Sequence, residues 1–104
     1  MDIIADKLDD HIVALYLEVP GSQIVELQAH FELYEGLGIV RTLSVRMSLV
    51  CILTTLDMQN DCIELLHSLR DNAQGDSIRW RAAPRPDEET RALYHGYSKK
   101  GKEI

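Results

Sequence analysis

The stretch that decides the fold is residues 39–69, IVRTLSVRMSLVCILTTLDMQNDCIELLHSL. Residues 39–45 are rich in β-branched side chains and predict a strand. Residues 49–55 are apolar on both faces and predict a second strand, central in its sheet. Because the two strands follow each other closely, they predict an antiparallel hairpin. A helix is then expected, with Asp57 as its N-cap. Its apolar face repeats at helical spacing through Met58, Cys62, Leu65, Leu66, Leu69 and Ala73.

A strand and a helix precede this stretch. Residues 11–19 alternate between two faces and predict a strand. Pro20 and Gly21 end the strand, and Ser22 is the expected N-cap of the helix that follows. The apolar face of that helix is formed by Ile24, Leu27, Phe31 and Tyr34, and Gly36 and Gly38 bracket its exit.

A fourth strand is predicted over residues 77–82, where Ile78, Trp80 and Ala82 alternate with Arg79 and Arg81. The two arginines lie on its wet face, and we expect either a solvated sheet edge or a basic stripe for an acidic partner.

The order β-α-β-β-α-β predicts an α+β protein with the ferredoxin-like βαββαβ sandwich. Its sheet has four antiparallel strands with two helices on one face. Residues 11–83 form this domain. Residues 1–10 are an acidic lead-in, and residues 84–104 are a tail that can hold a short helix.

Composition narrows the class of protein. Of the 104 residues, 45% are hydrophobic and 27% are charged, as in soluble globular proteins. Residues 1–76 hold 13 acidic and 4 basic side chains, a net of −9; residues 77–104 hold 4 acidic and 7 basic, a net of +3. An acidic body repels phosphate backbones, so we expect no nucleic-acid partner. The basic end is either a solvated tail or a segment that docks on the acidic body of the same or a second copy.

We expect a cytoplasmic protein that is not an enzyme. The longest uncharged stretch, residues 47–56, is too short to span a membrane, and no secretory signal is evident. Cys51 and Cys62 match no zinc or redox spacing and are expected to be buried hydrophobes, which suits a reducing compartment. The four histidines are dispersed, so we predict no metal site, no cofactor and no catalytic residue.

Glu18-Val19-Pro20-Gly21 ends the first predicted strand and opens the first helix. It resembles the acidic-x-Pro-Gly turn of ACT domains, small ferredoxin-like regulatory modules, with Glu18 where that family usually has Asp or Asn. The resemblance implies a homodimer that binds an amino acid where this turn meets the partner protomer. Glu18, Gly21, Ser22 and Gln23 are then the ligand-binding residues. Amides at the start of a helix favour a carboxylate, and Glu18 can accept a bond from an ammonium group.

A second resemblance covers residues 35–42, EGLGIVRT. This stretch is similar to a small bacterial domain family of unknown function that combines a glycine turn with a Val-Arg-Thr strand. The resemblance supports the fold and leaves the role of the protein open.

The second face of the predicted sheet is also apolar. Ile12, Ala14 and Tyr16 share that face of the first strand, and an exposed patch of this kind marks an interface. We expect these residues, with Arg41 projecting from the next strand, to form a homodimer interface. The alternatives are coverage by a different partner or by residues 84–104. The competing function is an interaction or assembly module with no small-molecule ligand.

Overall fold

A computed structural model describes residues 2–34, 36–71 and 77–89. The chain is an α+β protein in which an antiparallel sheet carries two helices. The elements are, in order, β1 (Ala5–Lys7), β2 (Ile12–Glu18), α1 (Gly21–Glu32), β3 (Ile39–Ser44), β4 (Leu49–Thr55), α2 (Gln59–Arg70) and β5 (Arg81–Ala82).

The centre of the sheet is the antiparallel pair β2 and β4. The two strands pair along their whole length, from Ile12 opposite Thr55 to Glu18 opposite Leu49. β3 pairs with the other side of β4, as the predicted hairpin requires, with a register irregularity between Thr42 and Ser44. Both hairpin strands therefore have close to their predicted bounds.

The second edge of β2 is shared by two short strands. β1 pairs with Val13–Leu15, and β5 pairs with Leu17 and Glu18. Between them, the backbone N–H of Ala83 donates to the carbonyl of Tyr16 at 3.1 Å. We call this arrangement the split edge. The sequence predicted only an acidic lead-in over residues 1–10, because a three-residue strand is too short to show a period.

The strand predicted over residues 77–82 is reduced to β5, Arg81–Ala82. Ile78 and Trp80 are nevertheless buried, as their alternation implied. The backbone N–H of Ile78 donates to the carbonyl of Leu69 at 3.0 Å, and that of Arg79 donates to the side chain of Gln23 at 2.8 Å. These amides are satisfied outside the sheet. The regular ladder consequently begins only at Arg81.

Two apolar clusters lie on the two faces of the sheet. The larger one is built on Val13, Leu15 and Leu17 of β2 and is covered by α1, α2 and Trp80. The smaller one is built on the alternate residues of β2 and β4. It includes Leu8, Ala14, Tyr16, Cys51, Leu53 and Ala83. Both faces of the two central strands are therefore buried.

The helix starts differ from the predicted caps. Pro20 is the N-cap of α1 and makes no side-chain capping bond, so Ser22 lies inside the first turn and is not the cap. The N–H of Gln23 donates to the carbonyl of Pro20 at 2.8 Å, a bond between residues three apart that tightens the first turn. In α2 the N-cap is Met58, so Asp57 is not the cap. The N–H of Met58 donates to the hydroxyl of Thr55 at 3.2 Å.

The exit of α1 depends on two glycines with different constraints. Gly36 has a φ of 81°, the left-handed conformation that its place after the helix predicted. Gly38 is tightly enclosed: an added Cβ would lie 3.0 Å from Cγ2 of Ile52 and 3.2 Å from the carbonyl oxygen of Leu53.

We expect Gly38→Ala to lower the free energy of unfolding by about 1–3 kcal/mol, because the added methyl group overpacks a site bounded by backbone. Urea denaturation measures the loss. Gly21→Ala is the matched control, since no atom lies within 4 Å of a Cβ at Gly21. Equal stability of the two variants would contradict the packing argument.

Candidate functional site

The turn between β2 and α1 is fixed by main-chain bonds. The N–H of Val19 donates to the carbonyl of Ser48 at 2.8 Å, which joins this turn to the turn between β3 and β4. Val19 is fully buried, whereas Gly21 and Ser22 are exposed at the first turn of α1. The turn therefore holds the start of α1 in a fixed place at the surface.

A cleft of about 510 Å³ opens beside this turn. Its lining is Glu18, Val19, Pro20, Met47, Ser48, Arg79 and Arg81. Glu18 and Arg81 face each other across paired strands, and their side chains form an ion pair at 2.7 Å. Arg79 forms no ion pair with a carboxylate within the described ranges. The cleft thus presents one paired carboxylate and two guanidinium groups.

The same ion pair borders a second cleft, of about 440 Å³, which is also lined by Arg70, Ala82 and Pro84. Three arginines therefore line the two clefts that Glu18 borders. In a chain with a net charge of −6, this concentrates positive charge where the described body is otherwise acidic.

The predicted ligand-binding residues have different roles in the structure. Glu18 lines the cleft, but Arg81 already binds its carboxylate. Gln23 clamps the segment before β5, because its Nε2 donates to the carbonyl of Ser77 at 3.0 Å and its Oε1 accepts from the N–H of Arg79 at 2.8 Å. Gly21 and Ser22 stay at the surface beside the cleft. That these four residues form a ligand site stays a prediction.

Sequence reasoning did not assign Arg79, Arg81, Met47 or Ser48 to this site. The pairing of β5 with β2 places Arg81 opposite Glu18, and the tie between Val19 and Ser48 adds the hairpin turn. The only sequence pattern that concerned these arginines was their alternation with Trp80, and it indicated a solvent-exposed strand face rather than a cleft.

The four predicted interface residues are not on one open surface. Ala14 and Tyr16 are fully buried within the single chain, so no second copy is needed to cover them. Leu8 and Ala83 belong to the cluster that covers them. Ile12 is half-buried and Arg41 is exposed. The homodimer itself stays a prediction.

Three polar side chains, those of Asp6, Tyr16 and Arg85, are linked on the sheet face that carries the smaller apolar cluster. The hydroxyl of Tyr16 donates to the carboxylate of Asp6, which also forms an ion pair with Nε of Arg85 at 3.5 Å. Asp6 is only 8% exposed. A buried carboxylate needs such partners, so this group fastens β1 to the residues after β5 across the split edge.

A groove of about 580 Å³ lies at the opposite end of the hairpin, between the exit of α1 and α2. We call it the helix groove. Its described lining is apolar except for two carboxylates and two hydroxyls: Tyr34, Leu37, Met58, Asp61, Glu64, Leu65 and Ser68.

Both thiols are buried, as the sequence predicted. Burial raises the pKa of Cys51 from 9.0 to about 12, against a weaker lowering by Arg41. Burial also raises the pKa of Cys62, whose Sγ lies 3.0 Å from the carbonyl oxygen of Leu37. Neither thiol is therefore a thiolate at neutral pH, the form needed for nucleophilic chemistry.

Among the described residues, no three His, Cys, Asp or Glu side chains come together as a metal site. No described helix is both long enough and apolar enough to cross a membrane.

Comparison with known proteins places part of the chain in a family. The family model described as Domain of unknown function (DUF4911) matches residues 17–72, more than half of the chain. This range includes the last two residues of β2, both helices and the hairpin, whereas Arg79 and Arg81 lie beyond it. No curated protein and no solved structure matches the chain.

Proposed function

The chain belongs to the DUF4911 family, whose function is unknown, and we propose that it is a small cytoplasmic regulatory module that binds an amino acid or similar carboxylate. The ligand binds in the cleft beside the turn between β2 and α1. The module is ACT-like and is not an enzyme.

The strand pairing supports a ferredoxin-like unit within this proposal. From β5 through β2 and β4 to β3, each strand pairs antiparallel with the next. The two helices follow β2 and β4, the first and third strands of that unit. β1 is then an addition that shares an edge with β5.

The observation that carries the binding proposal is the charge arrangement in the cleft. An amino acid offers a carboxylate to the guanidinium of Arg79, a donor suited to planar anions. Its ammonium group binds Glu18, whose carboxylate is held in place by Arg81 at 2.7 Å. The start of α1 adds a favourable dipole for the ligand carboxylate.

The lining also supports binding rather than catalysis. Its described ionisable groups are two arginines and one carboxylate, with no imidazole or thiol. Arg79 and Glu18 can therefore hold a zwitterion, and neither is paired with a nucleophile.

The test is thermal unfolding of the full chain with each standard amino acid. A ligand at about a hundredfold its Kd adds about 2.7 kcal/mol of stability, and this raises the melting temperature of a chain of this size by about ten degrees or more. We expect Arg79→Gln to abolish the shift and leave the unliganded melting temperature nearly unchanged, because its side chain is exposed.

Arg41→Gln is the matched control, since this exposed arginine of β3 does not line the cleft. A shift that survives in Arg79→Gln would move the site elsewhere. No shift with any amino acid would overturn the binding proposal and favour the assembly module.

A further inference from the structure

We propose that copies of this chain associate head to tail. The turn between β3 and β4 of one copy enters the helix groove of the next. This interaction does not require a ligand in the cleft, although Met47 and Ser48 of the same turn also line that cleft.

The helix groove has the chemistry of a docking site for an apolar, positively charged segment. Leu37 is 5% exposed and forms part of its floor, while Tyr34 is 52% exposed at its rim. Asp61 and Glu64 are exposed on α2, and no basic residue is among its described lining. An anionic occupant is repelled by these carboxylates, and a cationic one is attracted.

The turn between β3 and β4 has the complementary composition. Val45 is 74% exposed and Met47 is 66% exposed, and the exposed Arg46 lies between them. Most of the surface of both apolar side chains is therefore open to solvent in the single chain. Together they form an apolar tip with a cation at its centre.

The turn is held in one shape. The N–H of Met47 donates to the hydroxyl of Ser44 at 3.2 Å, and the N–H of Ser48 donates to the carbonyl of Val45 at 3.1 Å. Ser48 adopts a φ of 56°. A preformed tip loses little conformational freedom when it binds.

The two surfaces cannot meet within one copy. Leu37 precedes β3 and Met58 follows β4, so the groove lies at the end of the hairpin away from the turn. Six strand residues separate the two ends, a distance of about 20 Å. A turn that fills the groove therefore belongs to a second copy. Head-to-tail repetition of this contact gives a ring or an open chain, whereas two copies that exchange it reciprocally about a two-fold axis close as a pair.

Both surfaces lie within residues 17–72, the part of the chain that the family model matches. The inference therefore concerns the portion that defines the family. The cleft, in contrast, uses Arg79 and Arg81 from outside it.

The test is the mass of the full chain by light scattering over a range of protein concentration, at low and high salt. We expect the mass to rise beyond a dimer with concentration and to fall with salt, because exposed ion pairs are screened. Arg46→Glu and Glu64→Lys should each weaken association by about tenfold or more, since reversal replaces an attraction with a repulsion.

The double variant R46E/E64K exchanges the two charges and should recover association. Lys7→Glu and Glu26→Lys are the matched controls, because they make the same changes of charge at exposed positions outside both surfaces. Met47 is left intact because it also lines the cleft.

Three outcomes would overturn the proposal. The first is a chain that stays monomeric at millimolar concentration. The second is association that both single variants leave unchanged, which would place the contact on another face. The third is a folded double variant that does not recover.

Discussion

Trp80→Ala should lower the free energy of unfolding by about 3–5 kcal/mol, as expected when a fully buried aromatic side chain is removed. Trp80 is 2% exposed. Its indole N–H donates to the carbonyl of Leu66 at 2.6 Å, and the guanidinium of Arg70 lies 4.1 Å from the centre of its ring. The loss is a large part of the stability of a chain of this size.

Circular dichroism during urea denaturation measures this change, because Trp80 is the only tryptophan and its fluorescence disappears with the substitution. Trp80→Phe should lose less, since it keeps the ring and loses only the bond to Leu66. Leu33→Ala is the control at an exposed apolar position and should change stability by less than about 0.5 kcal/mol. A Trp80→Ala loss no larger than that of Leu33→Ala would contradict the packing described for α2.

The Trp80→Ala variant also tests whether the core positions the arginines of the cleft. Arg79 and Arg81 flank Trp80, and the buried indole fixes the segment that carries them. We therefore expect Trp80→Ala to weaken any ligand binding that depends on Arg79, even at temperatures where the chain remains folded.

Alkaline pH should destabilise the protein through Cys51. Its pKa is raised to about 12 in the folded chain, whereas an exposed thiol titrates near its ordinary value of 9.0. Above pH 9 the unfolded chain therefore loses a proton that the folded chain keeps. The stabilisation is complete below the unfolded pKa and is lost as the pH rises towards 12, by about 3 kcal/mol at about pH 11.

Urea denaturation under reducing conditions, from about pH 8 to about pH 11, measures this loss. Cys51→Ala isolates the contribution, because other groups titrate in the same range. At the lower pH the variant should be the less stable protein, since it leaves a small cavity. Its further loss on raising the pH should be smaller than that of the natural chain. Parallel curves would show that Cys51 does not control the alkaline transition.

The sequence predicted those elements that are long enough to show a periodic pattern and that pack against elements near them in the chain. β4 occupies its predicted residues, and Cys62, Leu66 and Leu69 are buried on α2 as their spacing indicated. β1 was missed because three residues show no period, and it exists only through its pairing with β2. The short helix expected within residues 84–104 lies mostly outside the described residues.

The candidate site was harder to predict because its parts meet only in the fold. The Glu18 turn could be identified from its Pro-Gly pair, but its partner Arg81 is distant in the sequence and depends on the register of β5. Gln23 shows the same limit. No local pattern indicates that both polar atoms of its side chain bind backbone groups of residues 77–79.

The split edge has a consequence for how the chain could be reconnected. Along β2, the partners of Glu18 and Leu17 are Arg81 and Ala82, the carbonyl of Tyr16 receives the N–H of Ala83, and the partner of Leu15 is Ala5. Both short strands run in the same direction, so Ala83 and Ala5 occupy neighbouring positions opposite Tyr16 and Leu15 of β2. A circular permutant that joined Ala83 directly to Ala5, with its new termini in the turn between β3 and β4, would keep these backbone partners and would lose the ion pair between Asp6 and Arg85.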